Sequence, residues 1–298
     1  MNRKRRSFAA WDVLYLAMVI LPILAGIALR VLTKPISEGI NITGAQIYFT
    51  IPMPIQDLPI TESQINSWLV ILMILGLCLF LTRNLQTRNI SARQHLAEWL
   101  VEKADALVKG SMGEYFMGYS AFIAAILGLS AFSSLLSLVG LFPPTSDINV
   151  TAGWAILVFA LITYYKAKCG PIRYLRSFAE PVPLLAPLNI ISEVATPISM
   201  AFRHYGNVLS GSVIAVLIAA ALSGLSSLVL GWIPGGIGEI PLLRIGIPAV
   251  LSLYFDIFSG CMQAFIFAML TMLNIVGGFP EELYEARMAK KLAKKNHQ

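Results

Sequence analysis

The sequence predicts an all-α integral membrane protein with about six membrane crossings, and three observations support this. Hydrophobic residues make up 57% of the 298 and charged residues only 13%, whereas an average soluble domain carries about 25% charged residues. Much of the surface therefore faces something other than water. The apolar residues gather into runs near the roughly 20 residues that a helix needs to cross a hydrocarbon core about 30 Å thick. The basic residues fall in short clusters between those runs, as in loops held against anionic lipid on the cytoplasmic side. The net charge of +6 is thus a membrane signature and not a sign of nucleic-acid binding. Cys78, Cys169 and Cys261 show no metal-type spacing; Cys78 and Cys261, inside apolar runs, read as small packing residues.

Arg3, Lys4, Arg5 and Arg6 precede an apolar run over residues 13–32. A cleavable signal peptide has an apolar core of roughly 7–15 residues, so this longer run predicts a retained signal-anchor helix. Residues 33–64 are more polar, and Pro35, Pro52, Pro54 and Pro59 stop any long helix there. A second run covers 65–82, followed by a charged interval over 83–114. Within that interval Leu96, Leu100, Ala104 and Val108 recur at the spacing of an amphipathic helix lying at the cytoplasmic interface. A third run over 117–141 ends at Pro143 and Pro144, and a fourth covers 150–165. A basic loop then carries Lys166, Lys168, Arg173 and Arg176.

The last third of the chain is almost unbroken apolar sequence. One run covers 183–230, interrupted by Glu193, Pro197 and Arg203, and another covers 240–279. Between them lies a turn rich in glycine and proline (Gly231, Pro234, Gly235, Gly236, Gly238). A helix of about 40 residues is about 60 Å long, twice the thickness of the hydrocarbon core. Each run either breaks into two spans or crosses as one strongly tilted helix, and composition does not choose. With the N-terminus inside and one crossing per run, 18 of the 22 lysines and arginines lie on the cytoplasmic side. Arg30, Lys34 and Arg244 fall outside, and Arg203 lies within a span. That skew follows the positive-inside rule and puts both termini in the cytoplasm.

Arg203 is the most informative residue. An arginine at the centre of an apolar helix costs about 2.5–3.5 kcal/mol on insertion scales, and it cannot shed its charge. It needs a partner, a water-filled cavity or a function. A buried ion pair with Asp256 is one reading, but it leaves the neighbouring polar residues unexplained. Ser199 and Asn207 lie one turn to either side of Arg203, and Gly206, Ser210 and Gly211 permit close approach of another helix. In the last run Asp256 and Gln263 are spaced to share a helical face, with Ser259 and Gly260 between them. An intramembrane carboxylate is itself a functional-site candidate, whereas Gln263 alone is compatible with a simple interhelical hydrogen bond. Two long helices, each with a polar stripe, make an ion route.

These residues resemble the family of F-type ATP synthase a subunits, bacterial type. Arg203-His204-Tyr205-Gly206-Asn207 matches the family's arginine, two large residues, glycine and asparagine in the penultimate helix. Gln263-Ala264-Phe265 matches its glutamine, alanine and aromatic residue in the last helix. Pro144 to Thr151 is similar to the family's segment opening a middle helix, and Ser67-Trp68 and the stretch from Gln94 to Glu102 also look like the family. Together the matches cover residues 60 to 280 in the right order.

The resemblance implies two long tilted helices against a rotating ring of c subunits, with two offset half-channels reaching the ring from opposite sides. It implies that Arg203 faces the ring carboxylate, and that Glu193, Asp256, Gln263 and Asn207 serve ion translocation. Asp147 and Asn149 match the outer half-channel, while His204 and Ser212 are secondary candidates. Leucine and phenylalanine usually follow the arginine in this family, where this chain has His204 and Tyr205. His204 is read as a hydrogen-bonded packing residue on another face, with a titratable relay as the alternative. Some members carry an acid where Ser212 stands and a histidine where Asp256 stands. The resemblance also implies b-type peripheral stalk subunits, the remaining ATP synthase subunits and the lipid bilayer as partners, in a bacterial plasma membrane. Residues 1–64 then form an anchor helix and outer-side segment, and 65–298 the ion-translocating domain.

No phosphate loop, metal-ligand cluster or nucleophile–base pair is visible, so the sequence asks for no cofactor and points to ATP chemistry on partner subunits. A secondary transporter gripping an anion with Arg203 is a rival reading, but the internal repeats of such proteins are not found here. A membrane scaffold whose polar stripes act only as glue is another.

Overall fold

The computed structural model describes residues 10–33, 44–54, 56–88, 90–179, 182–230, 250–279 and Glu285. The N-terminal basic cluster, Lys34, Pro35, the glycine-rich turn at 231–238, Arg244 and the C-terminal basic residues lie outside the described residues, as do the side chains of Cys169 and Arg173.

Among the described residues, 6 helical stretches are long and apolar enough to cross a membrane. The order is α1 (Ala10–Thr33), β1 (Ile47–Ile51), β2 (Leu58–Thr61), α2 (Glu62–Thr82), α3 (Ala92–Met112), α4 (Ser120–Leu135), α5 (Ile148–Cys169), the short α6 (Pro171–Ser177) and α7 (Ala186–Leu230). The final helix, α8, covers Val250–Gly277. This is the all-α membrane architecture that the composition predicts. One element was not predicted: β1 and β2 pair as an antiparallel hairpin, with Ile47 opposite Thr61 and Ile51 opposite Leu58. The hairpin runs directly into α2, whose first amide, at Glu62, donates to the Gln46 carbonyl at 2.7 Å.

Of the two alternatives for the 183–230 run, α7 takes the second. It is a single 45-residue helix with Pro197 inside it, about 67 Å long at 1.5 Å per residue. It crosses a core of about 30 Å only obliquely.

The first two helices pack closely because glycine lies at their seam. A Cβ on Gly76 would sit 2.9 Å from the Met18 Cβ, and one on Gly26 would sit 2.8 Å from the Leu69 Cδ1. Such close approach is how small residues join helices where no hydrophobic force favours association. Charges hold both ends of the pair. Asp12, at the start of α1, lies 3.2 Å from Arg83 after α2 and 2.7 Å from Arg93 in α3. At the other end Arg30 of α1 is 3.8 Å from Glu62 of α2.

Ser91 caps α3 by accepting from the Gln94 amide, which satisfies one otherwise orphaned donor. The predicted amphipathic stripe is only half buried. Val108 and Met112 are in the core, whereas Leu96 and Leu100 are exposed. The apolar face of α3 thus packs on the bundle only through its C-terminal half, while Arg93 and Gln94 tie down its start by polar contacts. There Phe116, Tyr165 and Phe279 form an edge-to-face cluster, and the Tyr165 hydroxyl donates to that of Tyr119 at 2.8 Å. The main core continues through Ile123, Val158, Phe267 and Met272, between α4, α5 and α8. The bundle thus has a basic end, carrying Arg83, Arg93, Lys166 and Lys168, and an opposite end, where α2 and α5 begin.

Candidate functional site on the two long helices

α7 and α8 run antiparallel and meet along a polar and small-residue seam. Asn207 Nδ2 donates to Ser259 Oγ at 2.9 Å, and Ser259 Oγ lies 3.2 Å from Asn207 Oδ1. One turn further along α7, Gly211 lies under the Phe255 ring, where a Cβ would come within 3.1 Å. Leu253–Ser259 of α8 winds as a π-helix, a form that occurs mostly as short inserts near functional sites. Asp256 sits inside it, half-buried, and accepts from Ser252. The wider π winding rotates Asp256 out of strict α-helical register with Gln263, which is buried.

Arg203 is exposed on α7, and no described carboxylate lies within ion-pair distance of it. Asp256 is bonded to Ser252 instead, so the Arg203–Asp256 pair is not formed. The adjacent His204 points the other way and is fully buried. Its Nε2 lies 3.1 Å from Ser130 Oγ on α4, and Trp154 and Phe267 meet its ring edge-to-face at 6.1 and 5.5 Å. Ser212 is exposed, and its hydroxyl is turned back to the Leu209 carbonyl at 2.8 Å.

Glu193 lies toward the basic end. Lys166 Nζ on α5 is 2.6 Å from both of its carboxylate oxygens, and the Tyr174 hydroxyl lies 3.5 Å away. Burial raises the pKa of Tyr174, with the negative charge of Glu193 adding to it. The Lys166–Glu193 pair lines a cavity of about 160 Å³ with Thr196, Leu273, Asn274 and Gly278. Sequence reasoning placed Lys166 in a basic loop and missed it here. A lysine in the last turn of an apolar span was the signal, but such a lysine commonly snorkels to water.

At the opposite end Asp147 caps α5 by accepting from the Asn149 amide at 2.9 Å, and it also accepts from the Ser63 hydroxyl of α2. Asn149 itself is exposed. Around Asp147 gather buried polar groups that sequence reasoning did not single out. Asn66 donates to the Phe142 carbonyl at 2.8 Å, and Thr145 Oγ1 and Ser146 Oγ are buried without a hydrogen-bond partner among the described residues. The resemblance marked the stretch from Pro144 to Thr151 but gave Thr145 and Ser146 no role. Polar residues at the start of a helix are ordinary capping composition, so nothing in the sequence joined them to Ser63 and Asn66. The nine site candidates therefore divide into a central group around the α7–α8 seam (Arg203, His204, Asn207, Asp256, Gln263), Glu193 toward the basic end, Asp147 and Asn149 at the opposite end, and Ser212 alone.

The model of the ATP synthase A chain family matches residues 64–275. Among curated proteins, the chain is 27% identical over 284 residues to the sodium ion specific ATP synthase subunit a of Propionigenium modestum, covering 85% of this chain and 89% of that one. It is 31% identical over 217 residues to ATP synthase subunit a of Bacillus pumilus, covering 68% and 86%. With ATP synthase subunit a 1 of Crocosphaera subtropica it shares 28% identity over 215 residues, covering 71% and 84%. A family match over most of the chain, a multi-pass helical architecture and a lone arginine on the longest membrane helix agree. The chain belongs to the ATP synthase A chain family, the ion-channel subunit of the F-type ATP synthase.

Proposed function

We propose that this chain forms two offset half-channels beside a ring of c subunits, and that Arg203 is the fixed charge separating them. The observation that carries this reading is the exposed guanidinium on an apolar helix, with no carboxylate partner among the described residues. A cation there is costly in lipid and is retained where a carboxylate on a partner comes to meet it. It lowers the pKa of that carboxylate and so drives release of its ion. Each elementary charge crossing 100 mV delivers about 2.3 kcal/mol, and forced passage around the ring turns that energy into rotation. The transported ion is a proton or a sodium ion, and ATP chemistry resides on other subunits.

In this reading the basic end is cytoplasmic, both termini are cytoplasmic, and the membrane is a bacterial plasma membrane. Glu193 and the cavity beside it belong to the inner half-channel. Asp147 and Asn149, with the buried polar cluster around Ser63 and Asn66, belong to the outer one, and Asp256, Gln263 and Asn207 line the approach to the ring. His204 packs and does not carry ions, and Ser212 faces the partner side. Residues 1–64 anchor the chain, residues 65–298 translocate ions, and b-type stalk subunits hold the assembly against the ring's torque. The test is ion-driven ATP synthesis by membranes carrying Arg203→Ala, with c-ring retention checked by co-purification. Synthesis is expected to be lost with the ring retained. Normal synthesis would remove Arg203 from this role, and absence of the ring from the wild-type complex would remove the partner assignment.

A further inference from the structure

Behind Arg203, on the face of α7 turned into the protein, polar groups form two files that do not join. From the basic end, the cavity brings Lys166, Glu193 and Thr196 up to Asn274. There the file meets a thioether: Asn274 Nδ2 lies 3.5 Å from Sδ of Met200, which is only 3% exposed. One helical turn further along α7 the second file begins at His204, whose buried Nδ1 has no hydrogen-bond partner among the described residues. Ser130 lies 3.1 Å from the His204 Nε2, and the hydrogen-bonded pairs Asn207–Ser259 and Ser252–Asp256 lie further toward the opposite end. A single helical turn, filled by Met200 and flanked by Trp154 and Phe267, separates the two files.

We propose that Met200 is a seal that prevents protons from crossing the subunit behind Arg203, a role that rests on the ion-channel function proposed above. Protons move along chains of hydrogen-bonding groups and water. A thioether donates no hydrogen bond and accepts only weakly, so Met200 interrupts such a chain while filling its space. The groups on either side lie close to this turn: the Asn274 amide reaches the Met200 sulfur at 3.5 Å, and His204, its Nδ1 unpartnered among the described residues, follows one turn on. A small polar residue at position 200 leaves room for a water with the two to four polar partners that buried water needs. Arg203 guards the route along the ring, and Met200 closes the shorter route through the subunit.

The experiment uses the whole complex in proteoliposomes, with passive proton leak and ATP made per unit of imposed gradient as readouts. Met200→Ser is expected to raise the leak several-fold and to lower the ATP yield. Met200→Gln, which keeps the side chain's length, is expected to do the same, and it decides the matter if the serine variant does not assemble. Met200→Leu stays as tight as wild type. Adding His204→Leu to Met200→Ser or Met200→Gln restores tightness, which a merely loosened helix would not do. A wild-type leak in assembled polar variants would overturn the seal and leave the proposed function standing. So would a leak shared equally by Met200→Leu, or one that His204→Leu does not reduce. A wild-type complex that holds its ring but makes no ATP from an ion gradient would overturn the function, and the seal with it.

Discussion

Arg203 and His204 are neighbours in the chain, yet they lie on different faces of α7 with opposite fates. The guanidinium is exposed and has no carboxylate partner among the described residues, while the imidazole is closed in by α4, α5 and α8. The same contrast separates whole helices. Only 6% of the most apolar stretch of α7 is buried within the chain, against 44% of that of α8. A helix so little covered by its own subunit leaves a long face for a partner and lipid. Under the proposed function, the face carrying the charge is left to another molecule, and the face behind it is packed within this one.

The most severe way to break the contrast is to remove the charge. Arg203→Ala is expected to abolish ion-driven synthesis, whereas the double variant His204→Leu with Ser130→Ala keeps most of it. Replacing both hydrogen-bonding partners by apolar groups of similar shape is nearly neutral, so ATP synthesis assays separate the two faces. Glycines sharpen the same contrast. A Cβ on Gly260 would lie 2.6 Å from the Ser134 Cβ, so Gly260→Leu is expected to destabilise the subunit by about 1–3 kcal/mol through overpacking. Gly206 has nothing within 4 Å of its Cβ position. Gly206→Leu is therefore expected to leave the thermal midpoint of the isolated subunit unchanged while weakening retention of the c ring, which thermal unfolding and co-purification would show.

A smaller effect is expected at the basic end. Lys166→Met leaves Glu193 without its ammonium partner, at a cost of about 1–3 kcal/mol for an unmet hydrogen bond to a partly buried charged group. Adding Glu193→Gln should recover much of that loss, and denaturation of both variants measures the coupling. The smallest effect concerns Tyr174. Its raised pKa means that the folded chain keeps this phenolic proton at pH values where the unfolded chain releases it. The associated stability is fully present below about pH 10 and is lost as pH rises through the folded value. Glu193→Gln should lower the tyrosine's titration only part of the way, because burial is the larger cause. Ultraviolet titration against Tyr174→Phe checks it.

The fold class was legible because lipid imposes simple rules on composition, and the apolar runs followed them. Arg203 was legible for the same reason, since a permanent charge in an apolar helix stands out. Three features were not legible. The π turn around Asp256 depends on helix packing, so a seven-residue spacing read as pure α-helix missed it. The Lys166–Glu193 pair joins residues 27 apart, across a turn whose path no local pattern dictates. The exposure of Leu96 and Leu100 shows the limit of periodicity: it gave α3 an apolar stripe but not which half of it meets the bundle. The β-hairpin was hidden by its prolines, which read only as helix breakers, although Pro59 is accommodated within β2.

The most direct test of the central claim is the passive ion leak of proteoliposomes holding the complex with Arg203→Ala and a retained c ring. If Arg203 separates two half-channels, removing its charge lets ions pass between them past the ring, and the leak rises above wild type. A membrane as tight as wild type, with the ring in place and the arginine gone, would contradict that claim.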